Sequence, residues 1–404
     1  MKILVFTGLY PNNVWPNHGI FIQQRMAEVA KLPYCDIRVV VPVPYYPPVP
    51  IGWRAAYRKI DSHRIVDGVP IDYPRYVMIP KLAMALQGVM LFCSVVPFVR
   101  RLKKTFPFDV IDAHYVYPDG LAAVLLGWCL NVPVVVSARG SDLNVFHQFP
   151  IIRRIIQWTL SRAQAVITVS QALKDVTVGL GIPPEKVQVI PNGVHAEKFS
   201  PMFKADARQH LGLSVGERKV IVSVGHLTPN KGFHLLIKTL KELSEKSYET
   251  TPFLLIVGGG AYQKVLERLV EDLGVAQWVR LVGAVPHEQL IWYYNAADIV
   301  CLMSEREGWP NVILEALACG RPVVATNVGG IPEILTSPDV GRLVERDVPQ
   351  LVRCLEQALQ QEWDVSAIVA HARAFSWTRT ARSVMEVLTS AVAHTKPSNT
   401  SRQS

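Results

Sequence analysis

The stretch S-E-R-E-G-W-P-N-V-I-L-E-A-L-A-C-G-R-P-V-V-A-T-N-V-G-G, Ser304 to Gly330, gives the clearest view of the fold. An apolar strand, Ile299–Met303, ends just before it. A loop carrying Glu307, Gly308 and Trp309 follows, then a helix predicted over Asn311–Cys319 and a second apolar strand over Pro322–Thr326. Two continuous apolar strands joined through a helix form a parallel pair covered on both faces.

The same alternation runs outward in both directions. Upstream lie strands at Val220–Val224, Phe253–Val257 and Val279–Val282, with helices at Phe233–Leu243, Ala261–Leu273 and His287–Ala297. The first half has its own series. Its strands are predicted at Ile3–Thr7, Ile37–Pro42, Val110–His114, Val134–Ser137, Val166–Ser170 and Val187–Pro191. Its helices are predicted at Ile20–Leu32, Leu121–Leu130, Ile152–Arg162 and Gln171–Gly179. The polar stretch Phe199–Glu217 reads as a linker. The chain of 404 residues is long enough for two full cores, so the expectation is two doubly wound α/β domains, 1–198 and 199–375, whose strand ends face a shared cleft.

Composition narrows the function. Residues 1–200 hold 21 Lys/Arg against 12 Asp/Glu, and the remainder balances, so the net charge of +9 belongs to the first half. That basicity implies an anionic partner, either a membrane surface or a phosphate-bearing acceptor, or else a basic surface without a specific target. There is no nucleic-acid motif. The six cysteines are scattered without a C-x-x-C pair and read as buried small hydrophobes in a reducing compartment. The opening M-K-I-L-V-F-T-G reads as a strand, not as a signal peptide. Leu82–Val99 is uncharged and is followed by Arg100, Arg101, Lys103 and Lys104. It reads as a buried helix or a helix on an anionic membrane surface; Gln87, Gly88, Ser94 and Pro97 argue against spanning. From about His394 the tail is polar and expected to be disordered.

The chemistry concentrates in two motifs. Glu307 and Glu315 stand in an E-x7-E spacing around a helix start at Asn311, a good N-cap residue. Free backbone N–H groups there, with the helix dipole, suit a diphosphate. Gly308 allows close backbone approach, Glu307 can accept sugar hydroxyls, and Glu315 can grip the two hydroxyls of a ribose. The second motif is V-S-V-G-H-L-T-P-N-K-G, residues 222–232. Lys231 can set a cation on a diphosphate beside Gly225 and Gly232, or be an ordinary solvated lysine. Gly258-Gly259-Gly260 lacks G-x-G-x-x-G spacing and so argues against a dinucleotide oxidoreductase.

These motifs resemble the signature of the family-4 retaining glycosyltransferases, which have the GT-B fold; the fuller pattern is similar to bacterial teichuronic acid and exopolysaccharide glycosyltransferases. The resemblance implies that Glu307 contacts the donor sugar and Glu315 the ribose, with Gly308, Trp309, Pro310 and Asn311 also on the donor side. It puts Gly225 and Lys231 in the diphosphate loop, with His226 where arginine is usual, and Val285 in the Gly283–Pro286 loop that meets the base. Gly19, in P-N-H-G-I-F-I, resembles the flexible glycine loop. His114 resembles a histidine that contacts the donor hexose, although a strand-end histidine is often structural. Arg139-Gly140-Ser141-Asp142 resembles the acceptor-side loop; Asp142 is a candidate for orienting the acceptor or for capping a helix. Pro191-Asn192-Gly193-Val194 resembles the approach to the hinge, with His195 for the usual aspartate. Phe375-Ser376-Trp377 resembles the start of a final helix, 376–393, that returns to the first domain.

Glu307, Lys231, His114 and Asp142 are therefore the candidate catalytic residues. No D-x-D triplet occurs, so no metal or other cofactor is called for beyond the nucleotide diphosphate sugar itself. The aromatic loop Tyr45–Trp53, with Tyr45 and Tyr46, is an acceptor-groove or lipid-contact candidate, or a rigid surface loop. The expected partner is a saccharide, or a lipid-linked saccharide, met by a cytoplasmic enzyme peripheral to the inner face of the plasma membrane. A nucleotide-sugar epimerase or hydrolase of the same architecture, and a non-catalytic binding subunit, are the rival readings.

Overall fold

The computed structural model describes residues 1–46, 52–78 and 84–394. Residues 47–51 of the aromatic loop, 82–83 of the apolar stretch and the tail 395–404 lie outside them. The chain divides into two units, Met1–Asn192 with Trp377 onward, and Gly193–Ser376.

The first unit contains β1 (Lys2–Phe6), β2 (Asp36–Val40), β3 (Val43–Tyr45), β4 (His63–Val66) and β5 (Val69–Asp72). It continues with β6 (Arg75–Val77), β7 (Val110–His114), β8 (Val134–Ala138), β9 (Ala165–Thr168) and β10 (Val187–Val189). Eight of these form one sheet in the order β10-β9-β8-β7-β1-β2-β5-β4, and β3 pairs with β6. The large sheet is parallel except at its edge, where β4 and β5 are antiparallel. Asp67-Gly68 joins that pair in two residues, both with positive φ, as a tight hairpin requires.

The second unit contains β11 (Val220–Val224), β12 (Phe253–Val257), β13 (Val279–Gly283), β14 (Ile299–Leu302), β15 (Val323–Thr326) and β16 (Gly341–Val344). All six are parallel, in the order β13-β12-β11-β14-β15-β16. The α/β class and doubly wound sheets expected from the sequence are both present.

Two local readings change. The polar stretch 199–217 contains a helix, Lys204–His210, held by ion pairs from Lys204 and Arg208 to Asp298. The division between units falls at Asn192–Gly193 rather than at 198/199. The apolar segment becomes the helix Gln87–Thr105, which contains Pro97. The final helix, Trp377–Ala393, contributes Ala381, Val384, Leu388 and Ala391 to the first unit's core, among Ile3, Val5, Ile22 and Met26.

Strand order reverses between β1 and β7 in one sheet and between β11 and β14 in the other. Crossovers leave such a point in opposite directions, so a crevice opens beyond the strand ends. In the first unit a carboxylate bridges it. Asp119, after β7 and 6 % exposed, accepts the Gly8 N–H, after β1, at 2.7 Å. Burial pushes the Asp119 carboxyl up to about 7; the Gly8 hydrogen bond opposes the shift and nearby Asp142 adds to it.

The native chain thus keeps a proton that the unfolded chain releases near pH 4, so this group's contribution to stability declines as pH rises from about 4 to about 7. Asp119→Asn keeps an oxygen for Gly8 but does not titrate. Its melting temperature should exceed that of wild type at pH 8, with the difference shrinking by pH 5. A difference independent of pH would show that Asp119 does not hold this proton.

Candidate functional site

In the second unit two loops meet at the strand-order reversal. The loop after β11 ends in a turn, Pro229–Lys231, and Gly232 follows at φ 71°. A Cβ on Gly232 would stand 2.1 Å from the Met303 carbonyl oxygen, so only glycine lets the loop lie against the end of β14. The Glu305 N–H donates to the Asn230 carbonyl at 2.7 Å and fastens the second loop to the first. Side chains complete the joint. Lys231 Nζ lies 2.5 Å from Glu307 Oε1, and the Ser304 hydroxyl donates to the same oxygen at 2.6 Å. Thr326 of β15 holds Ser304 through its carbonyl at 2.7 Å. Gly329, at φ 53°, packs under the Glu307 carbonyl, 2.0 Å from where a Cβ would be.

The helix expected after this loop runs Asn311–Ala318. Pro310, not Asn311, occupies its cap position, because the extended backbone of Pro310 places the first helical residue at Asn311. No side chain caps this end. Gly308 is buried, and Trp309 packs its ring 5.6 Å from Phe375. Glu315, one turn inside and 5 % exposed, receives the Tyr294 hydroxyl at Oε2 (2.7 Å) and faces His287 Nε2 from Oε1 at 2.8 Å. Gly225 is half-buried and His226 exposed. Val285 lies in the loop between β13 and the turn His287–Gln289. One unit therefore holds Lys231 and Glu307 on the loops after β11 and β14, and Glu315 on the helix that follows the second of them.

The first unit collects a different set at the ends of β7 and β8. Arg139 donates through Nη1 to Asn192 at 3.0 Å, and its Nη2 lies 2.5 Å from His114 Nδ1. His114 Nε2 lies 3.3 Å from Asp112 Oδ2, and Arg25 Nη2 approaches the same oxygen at 3.3 Å. Burial, reinforced by Arg139 against the pull of Asp112, lowers the His114 pKa to about 3, so the ring is neutral. It is fully buried; its Nδ1 meets Arg139, whereas Nε2, 3.3 Å from Asp112, makes no hydrogen bond. Asp142 accepts the backbone N–H groups of Val116 (2.9 Å), Arg139 and Gly140 (2.7 Å). Its carboxylate thus ties the ends of β7 and β8 together. Gly19 caps the helix Ile20–Ala30 from the loop after β1. Tyr45 is exposed, whereas Tyr46 is buried with its ring 5.5 Å from Tyr57, which removes most of its surface from any groove.

Asp119, Ser304, His287 and Tyr294 did not emerge from the sequence. His287 follows directly on the Gly283–Pro286 loop, and that adjacency was the available signal.

Comparison with known proteins agrees with this architecture. Residues 55–198 match the family model described as Glycosyltransferase Family 4, and residues 206–375 match Glycosyl transferases group 1. A Bacillus subtilis protein named as a teichuronic acid biosynthesis glycosyltransferase is 30 % identical over 340 residues, 83 % of each chain. A D-inositol 3-phosphate glycosyltransferase of Corynebacterium urealyticum is 31 % identical over 316 residues, 73 % of this chain and 74 % of its own. Among solved structures, sucrose-phosphate synthase from Thermosynechococcus elongatus superposes with a TM-score of 0.77 at 19 % identity, covering 98 % of this chain and 100 % of its own. Anabaena HepE in complex with UDP superposes at 0.72 and 21 % identity, covering 96 % and 100 %. The chain belongs to the family-4 glycosyltransferases of GT-B fold.

Proposed function

We propose that this glycosyltransferase moves a hexose, with retention of anomeric configuration, from a nucleoside diphosphate sugar to a lipid-linked saccharide in surface or exopolysaccharide assembly. The observation that carries the donor half is the Lys231–Glu307 pair at the strand-order reversal of the second unit. GT-B glycosyltransferases take nucleotide-sugar donors. In the proposed reaction Lys231 leaves Glu307 for the diphosphate, aided by the N-terminal end of the helix Asn311–Ala318. Glu307, so released, accepts hydroxyls of the sugar, and Glu315 holds the ribose. The anomeric carbon's bond to the phosphate oxygen breaks while its bond to the acceptor oxygen forms on the same face. The acceptor proton passes to the departing phosphate. Lys231 and the helix end stabilise the charge that develops there, without a metal bridge.

Uridine is the preferred base, since HepE of the same fold was solved with UDP and with UDP-glucose. Gly19, Gly225, His226 and Val285 belong to the donor reading as loop positions; Tyr45 belongs to the acceptor reading. For Arg139, Asp142 and His114 we propose a supporting role, in which Asp142 holds the Arg139 backbone and His114 its guanidinium, directed toward the acceptor.

The membrane reading draws on charge. The helices Gln87–Thr105, Leu121–Leu130 and Pro150–Arg162 pack side by side. Together they carry seven Lys/Arg (Arg100, Arg101, Lys103, Lys104, Arg153, Arg154 and Arg162) and no Asp or Glu. Trp128 (71 % exposed) and Ile151 (66 %) project from the same helices, and Arg162 stands 6.0 Å from the Trp128 ring. Met84–Thr105 is long and apolar enough to cross a membrane, with only 28 % of its apolar window buried. Its cationic end and internal Pro97 favour lying on the cytoplasmic surface of an anionic bilayer.

UDP or GDP should bind equally well in magnesium and in EDTA, and Lys231→Ala should weaken the one that binds by about 10- to 100-fold, the range for losing a hydrogen bond to a charged group. Calorimetry measures this; a magnesium requirement would overturn the metal-free reading. The proton spectrum of the product reports anomeric configuration, and inversion would remove the same-face mechanism. Replacing exposed Arg100, Arg101 and Lys104 by Ala should reduce sedimentation with phosphatidylglycerol vesicles at least about tenfold. Lys103 is spared because its ammonium donates to the Leu130 carbonyl at 2.5 Å. Unchanged sedimentation would detach the protein from the membrane.

A further inference from the structure

We infer that His287 is a positioning residue for donor binding, which, together with Tyr294, fixes the Glu315 carboxylate in the orientation that receives the ribose. The inference rests on the proposed reading that Glu315 holds the ribose hydroxyls.

A glutamate's terminal torsion is soft, so a lone carboxylate turns freely about its last bond. Glu315 is held at both ends. His287 Nε2 faces Oε1 at 2.8 Å, and the Tyr294 hydroxyl donates to Oε2 at 2.7 Å. Two partners on two oxygens set the plane of the group. An ionised carboxylate has about four acceptor positions, so two remain for a pair of neighbouring hydroxyls, which bring only donors to it.

The two holders arrive as a unit. His287 opens the turn His287–Gln289, and Tyr294 lies on the helix Leu290–Ala296 that continues it. Seven residues separate them, close to two helical turns, so they share a face. The Phe199 ring packs edge-on against both, 5.3 Å from His287 and 5.9 Å from Tyr294. Tyr294 is fully buried.

The charges around His287 fit this role. Burial works to lower its pKa, but the Glu315 carboxylate outweighs burial and raises it, with Lys198 opposing and Glu288 assisting. The imidazole is therefore held toward its charged, donating form. The sequence hides this pair, because His287 and Glu315 are 28 positions apart and lie on different crossovers.

The test is binding of UDP and GDP, each beside its 2′,3′-dideoxy analogue, by wild type, Glu315→Ala, His287→Ala and His287→Gln. The quantity of interest is the affinity ratio between each nucleotide and its dideoxy form. Glu315→Ala should reduce that ratio by about tenfold or more, as expected for hydrogen bonds to a charged group. His287→Ala should reduce it about fivefold while changing dideoxy binding less than about twofold, and His287→Gln, whose amide still donates, should restore most of it. In wild type the ratio should also decline as the pH is raised above the ordinary imidazole range and the ring loses its charge, and in His287→Gln it should not. If Glu315→Ala leaves the ratio intact, the ribose reading fails and the inference falls with it. If Glu315→Ala lowers the ratio but His287→Ala leaves it unchanged, or weakens both nucleotides equally, the ribose reading survives and the positioning role of His287 is overturned.

Discussion

A parallel strand can be reached only by crossing over the sheet, and a sheet wound in both directions must have one place where successive crossovers part. In this chain that place occurs twice, between β1 and β7 and between β11 and β14. Neighbouring strands there send their loops to opposite sides, and a few specific contacts join those loops across the gap. In the second unit a lysine from one loop reaches a glutamate of the other, and a backbone bond between Asn230 and Glu305 runs alongside. In the first, an aspartate takes a backbone amide across the same gap. The chemistry expected of the family sits where the fold leaves polar groups that only a few side chains can satisfy.

The ends of β7 and β8 show how closely those groups are held. Arg25, Asp112, His114, Arg139 and Asn192 form one chain of contacts through the interior of the first unit. Removing charges from water is costly, and each here has an opposite or dipolar neighbour. Asp142 satisfies three backbone amides at the adjoining turn. Arg139 is thereby fixed from three directions, by His114, Asn192 and its own backbone amide on Asp142.

Legibility in the sequence followed distance along the chain. The strands and helices of both sheets were readable because their apolar runs are local, and most boundaries agree within a residue or two. The hairpin of β4 and β5 was passed over although its Asp67-Gly68 turn is a local signal; its strands are only four residues each, and β4 is largely exposed. The helix at Lys204–His210 could not be seen, because its anchor, Asp298, lies some ninety residues later. The same limit governs the site. Glu307, Glu315 and Lys231 stand in spaced motifs, whereas Asp119 and Gly8 are 111 positions apart. His114 was legible as a strand-end histidine, but the direction of its nitrogens depends on Arg139 and Asp112, which no spacing reveals.

The helix Trp377–Ala393 has a consequence for how the chain is made. The second unit is continuous and has all its strands once Ser376 has emerged. The first unit begins earlier yet lacks Ala381, Val384, Leu388 and Ala391, which fill its core beside Ile22 and Met26. During synthesis its sheet must wait, with that apolar face uncovered, while almost two hundred residues of another fold pass through the ribosome. The part that starts first is completed last, and the final helix is the step that seals it.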